Sequence, residues 1–279
     1  MRIIGVGDNV CDKYRTLTMM FPGGQALNVA VYCRMQGAES AFMGAFGRDA
    51  VGNHMRKTLD ELDVDYSHCR IYDGENGYAV VDLVNGDRVF VTSNRGGVLR
   101  EHPLQLTTED LEYLQTFDII HTSNNSYLDN QLFKLAGLHR WISYDFSRTW
   151  NDELRLRCVA PLVSFAFLSC SELSEKEIHS LLDRIHNLGC AITVATMGSR
   201  GAIAWDGKHL ACHRPDLVKV VDTLGAGDSF AAGFLMECYK QGHLPYSEKA
   251  LLRCMEQGAI LSRATCQIQG AFGYGTPMV

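Results

Sequence analysis

The chain has 279 residues, of which 46% are hydrophobic and 21% charged, and a formal net charge of -6. That is material for one large α/β domain or two small ones, with no electrostatic footprint for nucleic acid or an anionic membrane and no apolar run near the ~20 residues that span a bilayer. The ten cysteines and ten histidines are scattered, without C-x-x-C or H-E-x-x-H spacing, which argues against disulfides and a structural zinc site.

In chain order, Met1-Arg2 leads straight into a strand-like run, Ile3–Val6, with no apolar leader region between them. The expectation is a cytoplasmic protein with reduced thiols. Gly7, Asp8 and Asp12 follow, then an extended stretch, Lys13–Met20. Pro22-Gly23-Gly24 is a glycine turn feeding a helix over Ala26–Gln36, with Leu27, Val31 and Met35 on one face. Ala41–Phe46 reads as strand and Val51–Leu62 as helix. Tyr78–Val84 and Arg88–Thr92 are β-like runs joined by Asn85-Gly86-Asp87, a hairpin signal. With Lys13–Met20 they make a group of strands with no helix between them. Ile119–His121, Trp141–Tyr144, Phe165–Ser169 and Ala191–Thr196 read as further strands, and Ser174–Leu188 as a helix carrying Ile178, Leu181, Leu182, Ile185 and Leu188. Ala202–Trp205 and Leu217–Val221 are the last strand-like runs; a helix through Gln241 and another over Tyr246–Arg263 follow. Such alternation predicts a parallel sheet with helices on both faces.

The most informative stretch is Asp222-Thr223-Leu224-Gly225-Ala226-Gly227-Asp228-Ser229, between the expected strand Leu217–Val221 and a helix carrying Phe230, Phe234, Leu235, Cys238 and Tyr239. Two glycines and an alanine leave the backbone amides uncovered at the positive end of that helix, which is an anion site. Asp228 is then a carboxylate where phosphate charge should be welcome. It would repel an anion that was merely held, but it suits a base that takes the proton from a hydroxyl attacking the phosphate. The alternative is that Asp228 caps the helix. Gly5 and Gly7 invite a dinucleotide-binding reading, but Val10 stands where the third glycine belongs. No G-x-x-x-x-G-K-[ST] occurs, which excludes a P-loop enzyme.

Asp222-Thr-Leu-Gly-Ala-Gly-Asp228 resembles the D-T-x-G-A-G-D signature of the ribokinase-like (PfkB) carbohydrate kinases. The resemblance implies an α/β fold, a three-layer α/β/α sandwich with a small β-sheet lid. It would be one domain over residues 1–279, the lid coming from about residues 11–20 and 72–96. It implies ATP and Mg²⁺ as cofactors, with Asp228 as catalytic base and the amides of Gly225, Ala226 and Gly227 stabilising the transferring phosphoryl group. Gly23, Gly24 and Asn28 match the sugar-binding G-G-x-x-x-N-x-A, and Gly7 and Asp12 match G-x-x-x-x-D, whose Asp bridges two sugar hydroxyls. Asp8 can share that role; a flexible turn and a solvated loop acid are the plain readings of these residues.

Thr196, Gly198 and Gly201 match the family's T-x-G-x-x-G beside the nucleotide, where a two-glycine hairpin connection would look the same. Ser169-Cys170-Ser171-Glu172 stands in the place of N-x-x-E, which positions magnesium through water. Ser169 replaces the Asn; Glu172 remains for the metal, or as a first-turn acid of the next helix. In some relatives the residue matching Asp222 helps a potassium ion shape the anion hole. The resemblance also implies a homodimer formed through the lid.

For the acceptor, Gly7-Asp8-Asn9-Val10-Cys11-Asp12-Lys13-Tyr14, Asp87-Arg88-Val89-Phe90, Tyr144-Asp145-Phe146-Ser147 and Ile203-Ala204-Trp205-Asp206-Gly207 look like the fructoselysine 6-kinase branch. That branch phosphorylates the C6 hydroxyl of a glycated lysine. Arg95 and Tyr78, on or near the lid, can meet the amino-acid portion of such a substrate, or be solvated surface groups. Fructose, ketodeoxygluconate, ribose and nucleosides stay open as acceptors, and so does a catalytically silent sugar or nucleotide sensor.

Overall fold

A computed structural model describes residues 1–84, 87–242 and 247–279. Its main sheet follows from strands whose successive residues bury on opposite faces, as the period of two requires. Ile3, Ile119 and Phe165 join one hydrophobic cluster, with Val29, Val31, Phe234 and Leu251 from helices Gln25–Met35, Ala226–Gln241 and Glu248–Thr265. Their neighbours Ile4, Ile120 and Ala166 join the other, with Leu132, Leu182 and Ile185. Both faces are thereby covered, giving the expected three-layer α/β/α sandwich. Nine strands make up this sheet among the described residues, in the spatial order Leu210–His213, Ala202–Trp205, Ile192–Thr196, Phe165–Ser169, Trp141–Ser147, Ile119–Ser123, Arg2–Gly7, Glu39–Gly47, Arg70–Tyr72. Pairing is parallel from Arg70–Tyr72 to Ile192–Thr196 and antiparallel for the last two.

Helix starts follow local chemistry. Ser174 and Glu177 form a capping box for Glu175–Asn187, Asp49 caps Ala50–Leu62 by accepting from Gly52 N, and Ser247 caps Glu248–Thr265 by accepting from Ala250 N. The last of these helices runs two residues beyond the expected Arg263, and Tyr246 lies outside the described residues.

The helix-free strands assemble into a second, smaller sheet in the order Thr276–Pro277, Met19–Phe21, Cys11–Tyr14, Tyr78–Val84, Asp87–Ser93. One expectation needs correction here. Lys13–Met20 is not one extended run. Arg15–Leu17 forms a 3-10 turn and Thr18 takes φ 51°, so the chain folds back and Cys11–Tyr14 pairs antiparallel with Met19–Phe21. Thr276–Pro277 also joins this sheet, two residues being too short to show a period. The expected turn at Asn85-Gly86 falls outside the described residues.

A second correction concerns Leu217–Val221, which is not a strand. Residues 214–220 carry no regular structure, and Leu217, Val220 and Val221 are 73%, 47% and 46% exposed. β-like composition reports a run of apolar residues but not what covers them. Leu217, Val218 and Val220 border an open cleft instead of a neighbouring strand, so the signature loop is entered from coil.

Candidate active site

The cleft, of about 880 Å³, opens where Arg2–Gly7, Trp141–Ser147, Phe165–Ser169 and Ile192–Thr196 end, with Asp8, Ser147, Ser169 and Thr196 on its wall. Arg2–Gly7 pairs with Glu39–Gly47 on one side and Ile119–Ser123 on the other. Successive connections therefore diverge from its carboxyl end, which is where open α/β sheets leave a crevice for ligands.

At the centre of the cleft lies the start of helix Ala226–Gln241. Its N-cap is Gly225, at φ 72° and without a side-chain cap. A Cβ at Gly225 would collide with the Tyr32 hydroxyl. A Cβ at Gly227, by contrast, would meet nothing within 4 Å among the described residues. The space beside Gly227 is open, and amides of a helix N-terminus suit an anion there.

Asp228 is the third residue of the helix, not its cap. Its Oδ2 accepts a 2.6 Å hydrogen bond from Asn28 Nδ2, across 200 residues of sequence. The expectation placed Asn28 against the sugar; the structure brings it to Asp228, and its other atom, the buried Oδ1, has no partner among the described residues. A buried acceptor in that state is costly unless a donor reaches it.

Asp222 holds the loop from below. Its Oδ1 accepts from Leu224 N at 3.0 Å, and its Oδ2 accepts from Tyr14 Oη at 2.6 Å and Gly270 N at 3.1 Å.

One end of the cleft borders the small sheet. Asp12 lies on its wall; a Cβ at Gly23 would come 3.0 Å from Asp12 Oδ2. Gly24 has φ 112°, and a Cβ there would approach Asn9 Cα to 2.7 Å, so this turn requires glycine. Asp8 is neither solvated nor free. It accepts from Gln25 N, Ala26 N, Ser123 Oγ and Ser126 Oγ, serving as a remote cap for helix Gln25–Met35.

Sequence reasoning missed Gln25, Asn125, Asp145 and Arg148 as members of this wall. Asn125 Nδ2 donates to Gln25 Oε1 at 2.8 Å, and Gln25 Nε2 donates to Asp145 Oδ2 at 2.9 Å. Burial, helped by the charge of Asp8 and opposed by hydrogen bonds from Ser147 and Gln25, pushes the Asp145 carboxyl up to about 6. A polar residue near the carboxyl end of a parallel strand was the signal available for Asp145.

The opposite end carries Thr196, Gly198 and Gly201, with His213, Leu217, Val220 and Arg263 that no motif indicated. Thr196 Oγ1 donates to Leu168 O at 3.2 Å, and Gly198–Arg200 is a 3-10 turn. Glu172 is exposed and ion-paired to Arg148 at 3.2 Å. It lies ahead of the helix that begins at Glu175, so it is no first-turn acid. Arg95 is exposed; its carbonyl accepts from Tyr127 Oη at 2.6 Å. Lys13 Nζ lies 4.6 Å from the centre of the Tyr78 ring. Neither Arg95 nor Tyr78 is on the cleft wall.

Among the described residues no group of three His, Cys, Asp or Glu can hold a metal ion, and no helix is long and apolar enough to cross a membrane. Magnesium commonly binds through one or two carboxylates together with substrate phosphates and water. Asp228 stands at the anion loop, while Glu172 is exposed, outside the cleft lining and paired to Arg148, so it would meet such an ion through water.

The profile of the pfkB family carbohydrate kinases matches residues 11–272. The chain is 40% identical to fructosamine kinase FrlD of Bacillus subtilis (strain 168), over 99% of this chain and 95% of that protein. It is 32% identical to fructoselysine 6-kinase of Escherichia coli (strain K12), over 96% and 98%. Among solved structures, Arabidopsis thaliana ribokinase complexed with ribose and ATP superposes with a TM-score of 0.81 at 18% identity, over 98% and 94%. With an anion loop closed by a carboxylate at the waist of such a cleft, the chain belongs to the pfkB family of carbohydrate kinases and is an ATP-dependent carbohydrate kinase.

Proposed function

We propose that the enzyme transfers the γ-phosphoryl group of ATP to the C6 hydroxyl of fructoselysine. The observation that carries the kinase chemistry is Asp228, at the open N-terminus of helix Ala226–Gln241 and hydrogen-bonded to Asn28. Likeness to a fructosamine kinase and a fructoselysine 6-kinase over nearly the whole chain supports the acceptor.

In this reading Asp228 accepts the C6 proton as the oxygen attacks the γ-phosphorus, and the bond from that phosphorus to the bridging oxygen of ADP breaks. Asn28 Nδ2 orients the carboxylate, while Asn28 Oδ1 accepts from a sugar hydroxyl. Asp12 accepts two hydroxyls of the sugar, and the Gly23-Gly24 turn lets the ligand approach the backbone. The amides of Gly225 and Gly227 face charge developing on the phosphoryl oxygens, while Leu224 N and Ala226 N are held by Asp222 and Thr223 within the loop; such a donor is worth ~3–4 kcal/mol. When bound, Mg²⁺ would neutralise phosphate charge, held by the phosphates and water, with Glu172 reaching it through water. Thr196, Gly198 and Gly201 border the nucleotide, and exposed Leu217 and Val220 give its base an apolar seat.

The secondary ammonium of fructoselysine suits the acidic end of the cleft, Asp12 and Asp145. Arg148 on the wall, Tyr78 on the small sheet and Arg95 just beyond its edge strand would meet the amino-acid portion. The small sheet acts as a lid that keeps water from the phosphoryl group. Its edge strand Asp87–Ser93 exposes Val89, Phe90 and Val91, which a second copy of the chain would cover.

The test is ADP release with ATP and a panel of free, aminated and glycated ketoses, with Asp228→Asn as the inactive control. Fructoselysine should exceed fructose in kcat/KM by at least about tenfold, roughly 1.4 kcal/mol of transition-state binding, and phosphorus NMR should place the phosphate on C6. Equal efficiency with fructose, or preference for ribose or a nucleoside, would overturn the acceptor. Normal turnover by Asp228→Asn would overturn the base.

A further inference from the structure

We infer that the hydroxyl of Tyr14 occupies the place of a monovalent cation at Asp222, so that this enzyme orders its anion loop without potassium. The inference rests on the kinase reading but on no particular sugar. Potassium at Asp222 was the expectation from the family resemblance, and the donor set does not fit it. Asp222 is buried, and its oxygens receive hydrogens from Leu224 N, Gly270 N and Tyr14 Oη at 3.0, 3.1 and 2.6 Å. A carboxylate offers about four lone-pair positions, so three are already directed at donors. The hydrogens on these donors repel a cation, which needs oxygen lone pairs around it.

Tyr14 cannot readily turn aside. Its ring is wholly buried and packs edge-on against Phe21 at 5.3 Å. Tyr14 and Asp12 also stand two residues apart on strand Cys11–Tyr14, and residues at that spacing share a face of a sheet. Asp12 reaches the cleft and Tyr14 reaches the loop that supplies the phosphoryl-binding amides. One short strand thus positions the sugar contact and braces the anion hole. Tyr14 is a positioning residue in this scheme; it acts through Asp222.

The discriminating variant is Tyr14→Phe, which keeps the ring and removes the hydroxyl. Steady-state ADP release with fructoselysine and thermal melting without substrates would be compared in potassium chloride and in tetramethylammonium chloride at equal ionic strength. Wild type should show the same rate and the same melting temperature in both salts. Tyr14→Phe should lose at least about tenfold in kcat in tetramethylammonium. Potassium should restore most of that loss and raise the variant's melting temperature, because a cation bound to the folded state stabilises it. A wild type whose rate or melting temperature rises with potassium overturns the inference, and so does a Tyr14→Phe variant indifferent to potassium in both readouts. Should the variant fail to fold, the wild-type comparison alone decides. Should no sugar be phosphorylated, the kinase reading fails while the melting comparison still tests the site.

Discussion

Replacing Asp145 with asparagine should stabilise the unliganded protein at alkaline pH and leave it unchanged in acid. Asp145 is buried at the cleft wall, and its carboxyl is held up at about 6 against an ordinary 3.8. Two pH units at about 1.4 kcal/mol each make roughly 3 kcal/mol. The folded state binds the proton more tightly than the unfolded chain does. The stabilisation from that proton is therefore complete below about pH 4 and lost as pH rises through about 6. Asparagine is neutral throughout. Its Oδ1 can keep the Ser147 amide, now bonded at 2.6 Å, and its Nδ2 can donate to Gln25 once that amide is turned. Urea unfolding of both proteins would measure the difference. With m of about 3 kcal/mol/M, the variant's midpoint should lie about 1 M higher at about pH 8 and converge on wild type near about pH 4. A variant less stable by the same amount at both pH values would refute the reasoning, because hydrogen bonds rather than a buried charge would then govern the site.

Gly227→Ala should raise stability by up to ~1 kcal/mol, since alanine is the better helix residue and its Cβ meets nothing within 4 Å among the described residues. The methyl fills the space assigned to phosphate, so kcat/KM should fall at least about tenfold; melting and ADP release together check this, and full activity would place the phosphate elsewhere. Asp12→Ala should raise KM for the sugar by about 10- to 150-fold, the loss of roughly 1.5–3 kcal/mol of charge-assisted hydrogen bonding. KM for ATP should hold; an equal rise in both would make Asp12 structural.

Much of this fold and site can be read from the sequence because it is encoded locally. The strand and helix periods of the three-layer body are local patterns, and Asp222–Asp228 packs an anion loop and its carboxylate into seven consecutive residues. What stays hidden is pairing at a distance. Nothing near Asn28 announces that it will touch Asp228, and nothing in Tyr14, which reads as a core aromatic, announces Asp222. Leu217–Val221 misleads for a related reason: an apolar run bordering a cleft has the composition of a strand bordering a sheet. Asp8 illustrates the reverse case, a loop acid whose four donors come from two separate segments.

Asn28 and Asp228 belong to helices that pack together although 200 residues separate the pair. The first of these, Gln25–Met35, is buried almost all round, and its cluster is completed by Phe234, Leu251 and Met255 late in the chain. During synthesis this helix must therefore wait, its apolar surface uncovered, until most of the polypeptide has left the ribosome. Contacts of such long sequence separation slow folding and lengthen exposure to aggregation. The contact that completes the catalytic centre is thus among the last to become available, so a partly made chain holds neither a finished core nor an active loop.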